Sequence, residues 1–342
     1  MPTLHTVKIN ASGAPSTTFE CSSRESILQA GLRAGLPLRY KCTNGSCGEC
    51  RSRLLSGTIE SIQVADYPLS QQQRANGWFL SCTHAPLSPL QINTPLFSDS
   101  IEIPHQITRA KVKKIDLLQP DLALLTLRTS RSNTFQFLAG QEVLLSHLLA
   151  THRYPIASCP CNGMELDFHI HRSETDLFSQ LLFSSLKKGE HVTLDGPRGH
   201  FLLNTQSQRR QIFIAWEYGF ASIRSLIEQH ISLEKEPPIS LYWLSQHPPY
   251  LNNLARSWGA VLNHFDYQWI ARHATPIESQ VSKLVHQLRQ ELLVEQCDFY
   301  ISAPAELLIL LSEQLLALGV AEHQLRGAPL IDVSSDSISS ES

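Results

Sequence analysis

The chain has 342 residues, of which 42% are hydrophobic, and a formal net charge of −3 at pH 7. Its length and composition indicate two or three soluble globular domains with hydrophobic cores. The charge gives no indication of a nucleic-acid-binding surface, and no apolar run is long enough to span a bilayer.

The amino terminus, MPTLHTVKIN, lacks the basic and then apolar blocks of a secretory signal. We therefore expect a cytoplasmic location, without membrane insertion. Eight cysteines in a chain of this length do not make a disulfide scaffold, because cytosolic thiols are normally reduced.

Residues 1–97 combine short alternating runs (TVKIN, TTFEC, LQINT) with one helical pattern, SRESILQAGLRAG. Ser23 or Ser26 can cap the start of that helix. The mixture predicts a small α+β domain. It is followed by a linker over residues 98–106, a stretch rich in turn-forming and polar residues.

Four cysteines of this first domain have a distinctive spacing. Cys42, Cys47 and Cys50 lie close together in RYKCTNGSCGEC, and Cys82 follows after a gap of 31 residues. This is the spacing of a plant-type [2Fe–2S] ferredoxin, in which three thiolates come from one loop and the fourth from a distant segment. We expect these four residues to be the metal ligands.

Two other kinds of metal centre fit the same cysteines less well. Structural zinc sites usually pair two short Cys-x-x-Cys knuckles, and here Cys82 has no near partner. A Rieske centre needs two histidines, and Cys82-Thr83-His84 offers only one. The remaining cysteines (Cys21, Cys159, Cys161 and Cys297) fit packing roles better than ligand roles.

Residues 107–205 are dominated by strand patterns: ALLTLRTS, QEVLLSHL, ELDFHIH and HVTLDG. A single helical pattern, DLFSQLLFSSLKKG, interrupts them. This spacing predicts an antiparallel β-barrel.

Residues 206–331 alternate strand patterns (IFIAW, ISLYWL, HFDYQWIA, CDFYIS) with helical ones (SIRSLIEQHI, VSKLVHQLRQELL, AELLILLSEQLLALG). Such alternation predicts a parallel sheet covered on both faces. Residues 332–342 form a polar tail that we expect to be disordered.

The first domain resembles plant-type ferredoxin domains over nearly its whole length, through ESILQAGLRAGLPLRYKC and NGWFLSCTHAPLSPLQI. That resemblance implies a β-grasp fold. The rest of the chain, except the tail, resembles the ferredoxin–NADP reductase family through HRYPIAS, GPRGHF, IFIAWEYGFASIRSL and DFYISAPAEL. The fused order resembles reductase components of bacterial oxygenases and CDP-hexulose dehydratase reductases, and implies an FAD-binding barrel and an NAD(P)-binding domain.

The resemblance implies a flavin motif Arg-x-Tyr-Ser in the barrel, from which this chain departs. His152 stands at the arginine position, Tyr154 is kept, and Pro155 replaces the serine. Arg153, or His152 when it is protonated, is placed to compensate for the missing arginine. Proline offers neither a hydroxyl nor an N–H group.

The next helix should begin with Gly-x-x-Ser/Thr, with its N–H groups on the flavin pyrophosphate. Ser179 is kept, but Asp176 stands at the glycine position. Aspartate is a good N-cap and would repel a phosphate. A helix that caps itself and an altered flavin site both remain open.

The nucleotide domain departs further from the family pattern. Where the family has Gly-Gly-x-Gly, this chain has Trp216-Glu217-Tyr218-Gly219, so only Gly219 is kept and Glu217 places a carboxylate near the expected phosphates. The family's basic position is Gln246, and its late cysteine is Ser302. Arg224 matches the family and is expected to contact a phosphate.

His169 and His171 share one face of a predicted strand, which fits either a metal site or a solvated surface. No Gly-x-Gly-x-x-Gly, P-loop or nucleophile elbow is present.

The leading hypothesis is an iron–sulfur flavoprotein reductase. It would pass electrons from a reduced nucleotide through FAD to the [2Fe–2S] cluster, and then to an oxygenase-type or dehydratase-type partner. The flavin and nucleotide contacts that the resemblance implies are Arg153, Tyr154, Ser179, Gly219 and Arg224. The alternative is a ferredoxin-like electron carrier or scaffold whose reductase-like half does not turn over.

Overall fold

The computed structural model describes residues 3–10, 16–36, 38–40, 43, 45, 48–63, 69–94, 103–233, 237–272 and 276–330. The predicted disordered tail, residues 98–102 of the predicted linker, and Cys42 and Cys47 lie outside the described residues.

The first part of the chain forms a mixed sheet crossed by a helix. Its strand order is β2-β1-β7-β3-β5, with β1 parallel to β7 and the other neighbours antiparallel. Ser26, rather than Ser23, caps the helix: its hydroxyl accepts a hydrogen bond from Gln29 N (3.2 Å). This arrangement has the form of the predicted β-grasp fold. The elements are β1 (Leu4–Ile9), β2 (Thr17–Ser22), α1 (Ile27–Arg33), β3 (Arg51–Ser56), β4 (Ile59–Ser61), α2 (Gln71–Ala75), β5 (Trp78–Leu80), β6 (His84–Pro86) and β7 (Leu90–Asn93).

The second part is an antiparallel sheet with strand order β11-β10-β13-β8-β9-β12, which curls back on itself. Just beyond the last residue of its first edge strand, Ala157 N donates to Asp167 O on the opposite edge strand (2.8 Å). The inward side chains form one hydrophobic core, so the predicted barrel is confirmed. The elements are β8 (Gln106–Gln119), β9 (Leu122–Arg128), β10 (Glu142–His147), β11 (Ala150–Pro155), β12 (Glu165–His171), α3 (Leu177–Ser184) and β13 (His191–Arg198).

The third part is a parallel sheet with strand order β16-β15-β14-β17-β18. Helices α4 and α5 pack on one face, and α6 and α7 on the other, which confirms the predicted doubly covered sheet. From β14 the strands are added first on one side, toward β16, and then on the other side, toward β18. The strand order therefore reverses between β14 and β17. The elements are β14 (Arg210–Trp216), α4 (Phe220–Ser232), β15 (Ile239–Ser245), α5 (Asn252–Ser257), β16 (Phe265–Ala271), α6 (Ile277–Glu291), β17 (Cys297–Ala303), α7 (Ala305–Ala317) and β18 (Leu325–Pro329).

Direct hydrogen bonds join the three parts. Ser225 Oγ on α4 donates to Ser158 O of the barrel (2.7 Å), and Ser232 Oγ, at the end of the same helix, donates to Arg33 O of the first domain (3.0 Å). Among the described helices, none is both long and apolar enough to cross a membrane.

Candidate cofactor sites

Cys50 and Cys82 lie in the core of the first domain, where they are 1% and 2% exposed. The pairing of β3 with β5 brings them together, because Ser81 N donates to Cys50 O (3.1 Å). Two cysteines 32 positions apart in the sequence therefore lie on neighbouring segments at the end of one ladder. This is the placement required of the third and fourth ligands of a plant-type cluster.

A cleft of about 800 Å³ lies between the barrel and the third domain. Arg153, Tyr154 and Asp176 line its barrel side, and Gly219 and Ser302 line the side of the parallel sheet. Ligands of such folds bind at this position, where barrel and sheet face each other. The cleft therefore brings together three of the residues predicted to contact cofactors: Arg153, Tyr154 and Gly219.

Asp176 occupies the start of α3. Its Oδ1 accepts hydrogen bonds from Phe178 N (2.9 Å) and Ser179 N (3.1 Å), and Tyr154 donates its hydroxyl to Oδ2. Burial, together with this carboxylate, raises the pKa of Tyr154, so the phenol keeps its proton. His152 Nδ1 lies 3.8 Å from Asp176 Oδ1. The helix therefore caps itself, which is one of the two possibilities that the sequence left open.

Ser179, expected to help hold the flavin, is fully buried. Its hydroxyl accepts a hydrogen bond from Ser173 N (3.0 Å) and lies 2.9 Å from Asp176 O. Both the amide and the hydroxyl of Ser179 are therefore used inside the protein. This arrangement does not support a direct contact between Ser179 and a flavin.

Arg153 differs from Ser179 because it remains accessible. Its side chain is 44% exposed, and its Nη1 lies 3.3 Å from Glu142 Oε1 on the neighbouring strand. Burial raises the pKa of Glu142 even though Arg153 opposes that shift. Arg153 is thus an available cation on the wall of the cleft.

The carboxyl edge of the parallel sheet is closed by a charged pair. Glu217, which follows β14, accepts a hydrogen bond from Gln246 N (2.9 Å) after β15 and pairs with Arg272 after β16. The Arg272 guanidinium lies 3.8 Å from the centroid of the Trp216 ring. One carboxylate therefore ties together the ends of three adjacent strands, at the edge where parallel sheets bind nucleotides.

The sequence suggested that Glu217 would place a carboxylate near a bound phosphate and repel it. In the structure that carboxylate is paired with Arg272, so its negative charge is balanced by a cation. Glu217 also has a left-handed backbone (φ 47°), a conformation that favours glycine.

Gly219 and Ser302 lie in contact beside β14 and β17, where the strand order reverses. A Cβ atom on Gly219 would lie 2.6 Å from Ser302 O, so only glycine fits there without displacing β17. The glycine that survives in this motif is therefore explained by packing between β14 and β17.

Arg224, expected to contact a phosphate, is bound to the barrel instead. Its guanidinium contacts Asp167 Oδ2 (3.0 Å), Glu228 Oε1 (2.7 Å) and His169 Nε2 (3.2 Å). Burial opposes its charge, but Glu228 and Asp167 outweigh that effect and raise the pKa of Arg224. This arrangement does not support a phosphate contact; it fixes α4 against the barrel.

His169 belongs to the same network. It is buried, and its Nδ1 lies 2.9 Å from the Tyr250 hydroxyl. Burial, and secondarily Arg224, lowers the pKa of His169 well below its usual value, so the ring is neutral. The expected solvated strand face is therefore wrong for His169, and the described residues contain no cluster of three or more metal-ligating side chains.

Cys159 and Cys161 lie where the three parts of the chain meet. Cys159 N donates to Glu228 Oε2 of α4 (3.2 Å), and the Cys161 amide donates to the Cys159 sulfur (3.3 Å). Cys21 and Cys297 are buried on β2 and β17. Cys21, Cys159 and Cys297 are therefore buried, as expected for packing residues, whereas Cys161 is only partly buried.

Comparisons with known protein families match the first domain and the barrel. Residues 9–87 match the 2Fe-2S iron-sulfur cluster binding domain, and residues 109–202 match the oxidoreductase FAD-binding domain.

Two curated proteins and one solved structure are similar over most of the chain. Reductase component 2 of terephthalate 1,2-dioxygenase from a Comamonas species is 30% identical over 73% of this chain and 74% of its own. CDP-6-deoxy-L-threo-D-glycero-4-hexulose-3-dehydrase reductase from Yersinia pestis is 26% identical over 74% and 75%. A ferredoxin reductase in carbazole 1,9a-dioxygenase shares the fold with a TM-score of 0.57, at 24% identity, over 96% of this chain and 100% of its own.

The chain therefore belongs to the family of reductase components in which a 2Fe-2S cluster binding domain precedes an FAD-binding domain. It is an oxidoreductase of the ferredoxin-reductase type.

The described residues fit the two cofactors of this family unequally. The buried thiols of Cys50 and Cys82 fit an iron–sulfur cluster. The cleft, with Tyr154 on its wall and Arg153 accessible, has room for a flavin. The start of α3 does not fit a flavin diphosphate, because Asp176 already binds its free amides.

Sequence reasoning missed Arg272 as a site residue. A signal was present, since Arg272 directly follows a predicted strand and the carboxyl ends of parallel strands meet at one edge. Its partnership with Glu217, 55 positions away, needed the three-dimensional fold.

Proposed function

We propose that the chain is the electron-transferring reductase component of a larger enzyme system. Electrons from a reduced nucleotide would pass through a flavin in the cleft to the [2Fe–2S] cluster, and then to an oxygenase-type or dehydratase-type partner. The observation that carries this proposal is the paired burial of Cys50 and Cys82 in a domain that packs directly on an FAD-binding barrel.

Different residues would hold the cluster and the flavin. Cys42, Cys47, Cys50 and Cys82 would hold the cluster, which carries one electron at a time. Tyr154 and Arg153 would hold the flavin, and a bound flavin supplies the conversion of an electron pair into single electrons. We propose domain boundaries at residues 1–97, 107–205 and 206–331, and a cytoplasmic location.

A second candidate is an electron carrier that is reduced by another protein. Two observations favour it: Asp176 fills the anion site of α3, and the Glu217–Arg272 pair closes the carboxyl edge of the parallel sheet. In this case the barrel and sheet would serve as a scaffold.

An anaerobic mixing experiment separates the two candidates. Protein reconstituted with iron, sulfide and FAD is mixed with NADH or with NADPH, and the visible absorbance of the cluster is followed. Bleaching by either nucleotide alone supports the reductase. A cluster that is bleached by dithionite but not by either nucleotide supports the carrier.

A further inference from the structure

The outer face of the barrel carries a strongly positive groove of about 690 Å³. Six cationic or titratable side chains line it, and we call it the basic groove: Arg109, Lys111, Lys113, Arg128, Lys188 and His191.

The strand pattern explains how these charges come together. On β8, Arg109, Lys111 and Lys113 alternate with buried residues and so share the exposed face. Lys111 lies directly opposite Arg128 on β9 and His191 on β13. Like charges in such cross-strand positions destabilise a sheet.

Internal ion pairs compensate this charge only in part. Glu165 lies 2.7 Å from Lys113 and 3.9 Å from Arg128. The side chains of Arg109, Lys111 and Lys188 form no ion pair or hydrogen bond with the residues that the structure describes. The excess positive charge therefore has no role in holding the described fold together.

The basic groove adjoins Thr43, a described residue of the first domain. Ser130 lines the groove, and the next residue, Arg131, accepts a hydrogen bond at its carbonyl from Thr43 N (3.2 Å). Thr43 directly follows the predicted ligand Cys42, and its hydroxyl lies 3.8 Å from Met164 Sδ. A molecule seated in the groove would thus lie close to Thr43, the residue next to a proposed cluster ligand.

The distribution of charge along the chain points the same way. Residues 1–97 contain eight Lys or Arg against five Asp or Glu, and residues 107–205 contain eleven against nine. Residues 206–342 contain nine against fifteen. The overall charge of −3 therefore conceals a positive surface on the half that carries the cluster.

We propose that the basic groove is the docking surface for an acidic electron-accepting protein. This inference rests on the proposed function, since the transferred electron comes from the reduced cluster: the cluster loses one electron and the redox group of the partner gains one. Complementary charge raises the rate of encounter, and the groove sets the orientation beside the cluster loop. A nucleic acid or an anionic membrane would match the charge but would have no use for a site next to a one-electron centre.

Charge variants of the full-length, cluster-loaded protein test this proposal. The double variant K111Q/R128Q removes two groove charges, and K283Q/R289Q removes two exposed charges from α6 as a matched control. Each protein is reduced with dithionite, freed of excess reductant, and mixed in a stopped-flow instrument with the soluble domain of cytochrome b5, an acidic haem protein. Cytochrome c, a basic haem protein, serves as the second acceptor.

We expect the second-order rate constant with cytochrome b5 to fall at least about tenfold for K111Q/R128Q at ~20 mM salt, and to match the unaltered protein at ~500 mM salt. The control variant should stay within about twofold at both. Equal rates for all three proteins, or a loss confined to cytochrome c, would overturn the proposal. So would groove-dependent binding of duplex DNA or of anionic vesicles with unchanged cytochrome b5 rates.

Absorbance spectra separate this test from that of the proposed function. A preparation that cannot hold a cluster contradicts the proposed function, and the docking surface with it. Intact clusters with unchanged rates contradict the docking surface alone.

Discussion

Asp176 shows how one residue changes the chemistry of a helix terminus. The free N–H groups at the start of a helix attract an anion, and here the protein supplies that anion from its own side chain. The sequence showed that Asp176 could cap this helix, because capping is local, but it did not decide between a cap and an altered flavin site. It could not show that Tyr154, 22 positions away, would donate to the same carboxylate.

Replacing Asp176 by glycine should restore an anion site. Because Phe178 N and Ser179 N become free, the affinity for FAD should rise relative to that for riboflavin, which has no diphosphate. A regained charge-assisted contact of about 1.5–3 kcal/mol corresponds to at least about tenfold in this ratio. Fluorescence titration with both flavins measures it. Glu174→Gly, which removes an exposed carboxylate nearby, should leave the ratio unchanged, and an unchanged ratio in D176G would refute this role of Asp176.

Glu217 is the corresponding residue on the parallel sheet. Glycine is well suited to its left-handed backbone, so Glu217→Gly should fold, and it should free Arg272 to bind a phosphate. We expect the affinity for NADPH to increase at least about tenfold, by calorimetric titration. Arg272→Gln opens the same pair without leaving a cation and should give no increase. Tighter NADPH binding by the unaltered protein than by E217G would contradict this account.

At the scale of elements, strands and helices with regular periodicity were predicted well, and β8 was not. Its ladder with β9 shifts register between Val112 and Lys114 and again between Leu117 and Gln119. Each shift interrupts the alternation of buried and exposed side chains, so the sequence has no continuous strand pattern. The basic groove was missed for a different reason, because it also takes Arg128 from β9 and His191 from β13.

The start of α1 provides a test of capping in the first domain. Ser26 is buried and caps the helix, whereas Ser23 does not. Ser26→Ala should lower the free energy of unfolding by about 1 kcal/mol, and Ser23→Ala should leave it nearly unchanged. Denaturant unfolding followed by cluster absorbance measures both. Equal losses in the two variants would show that the cap is elsewhere.

The contact between α4 and the barrel should make stability depend on pH. The pKa of His169 is lower in the folded protein than its unfolded value of about 6.5. Between these two pKa values the unfolded state binds more protons than the folded state. The stabilising contribution of the neutral His169 ring is therefore fully present above about pH 6.5. It declines as the pH falls toward the pKa of His169 in the folded protein. His169→Gln, which keeps an acceptor for Arg224, should reduce this slope by up to about 1.4 kcal/mol per pH unit.

Thermal unfolding of H169Q and the unaltered protein between pH 5 and 8 measures that slope. Identical slopes in the two proteins would mean that His169 does not titrate in this window.

At the scale of the whole molecule, the order of domains was readable because each has its own periodicity and motif. The contacts between the domains could not be predicted, because hydrogen bonds such as Ser232 Oγ to Arg33 O join residues 199 positions apart. The uneven distribution of charge could be counted in the sequence, but the gathering of six basic side chains in one groove depends on strand pairing. The charges of the chain are thus divided between a positive amino-terminal part and an acidic carboxy-terminal part.

The central claim is that four thiolates hold a pair of irons that transfers single electrons. Iron and acid-labile sulfide analysis of anaerobically prepared protein, with an electron paramagnetic resonance spectrum after dithionite reduction, tests it most directly. The account predicts about two irons and two sulfides per chain, with a signal that appears only on reduction. Zinc in place of iron, or no metal at all, would contradict it.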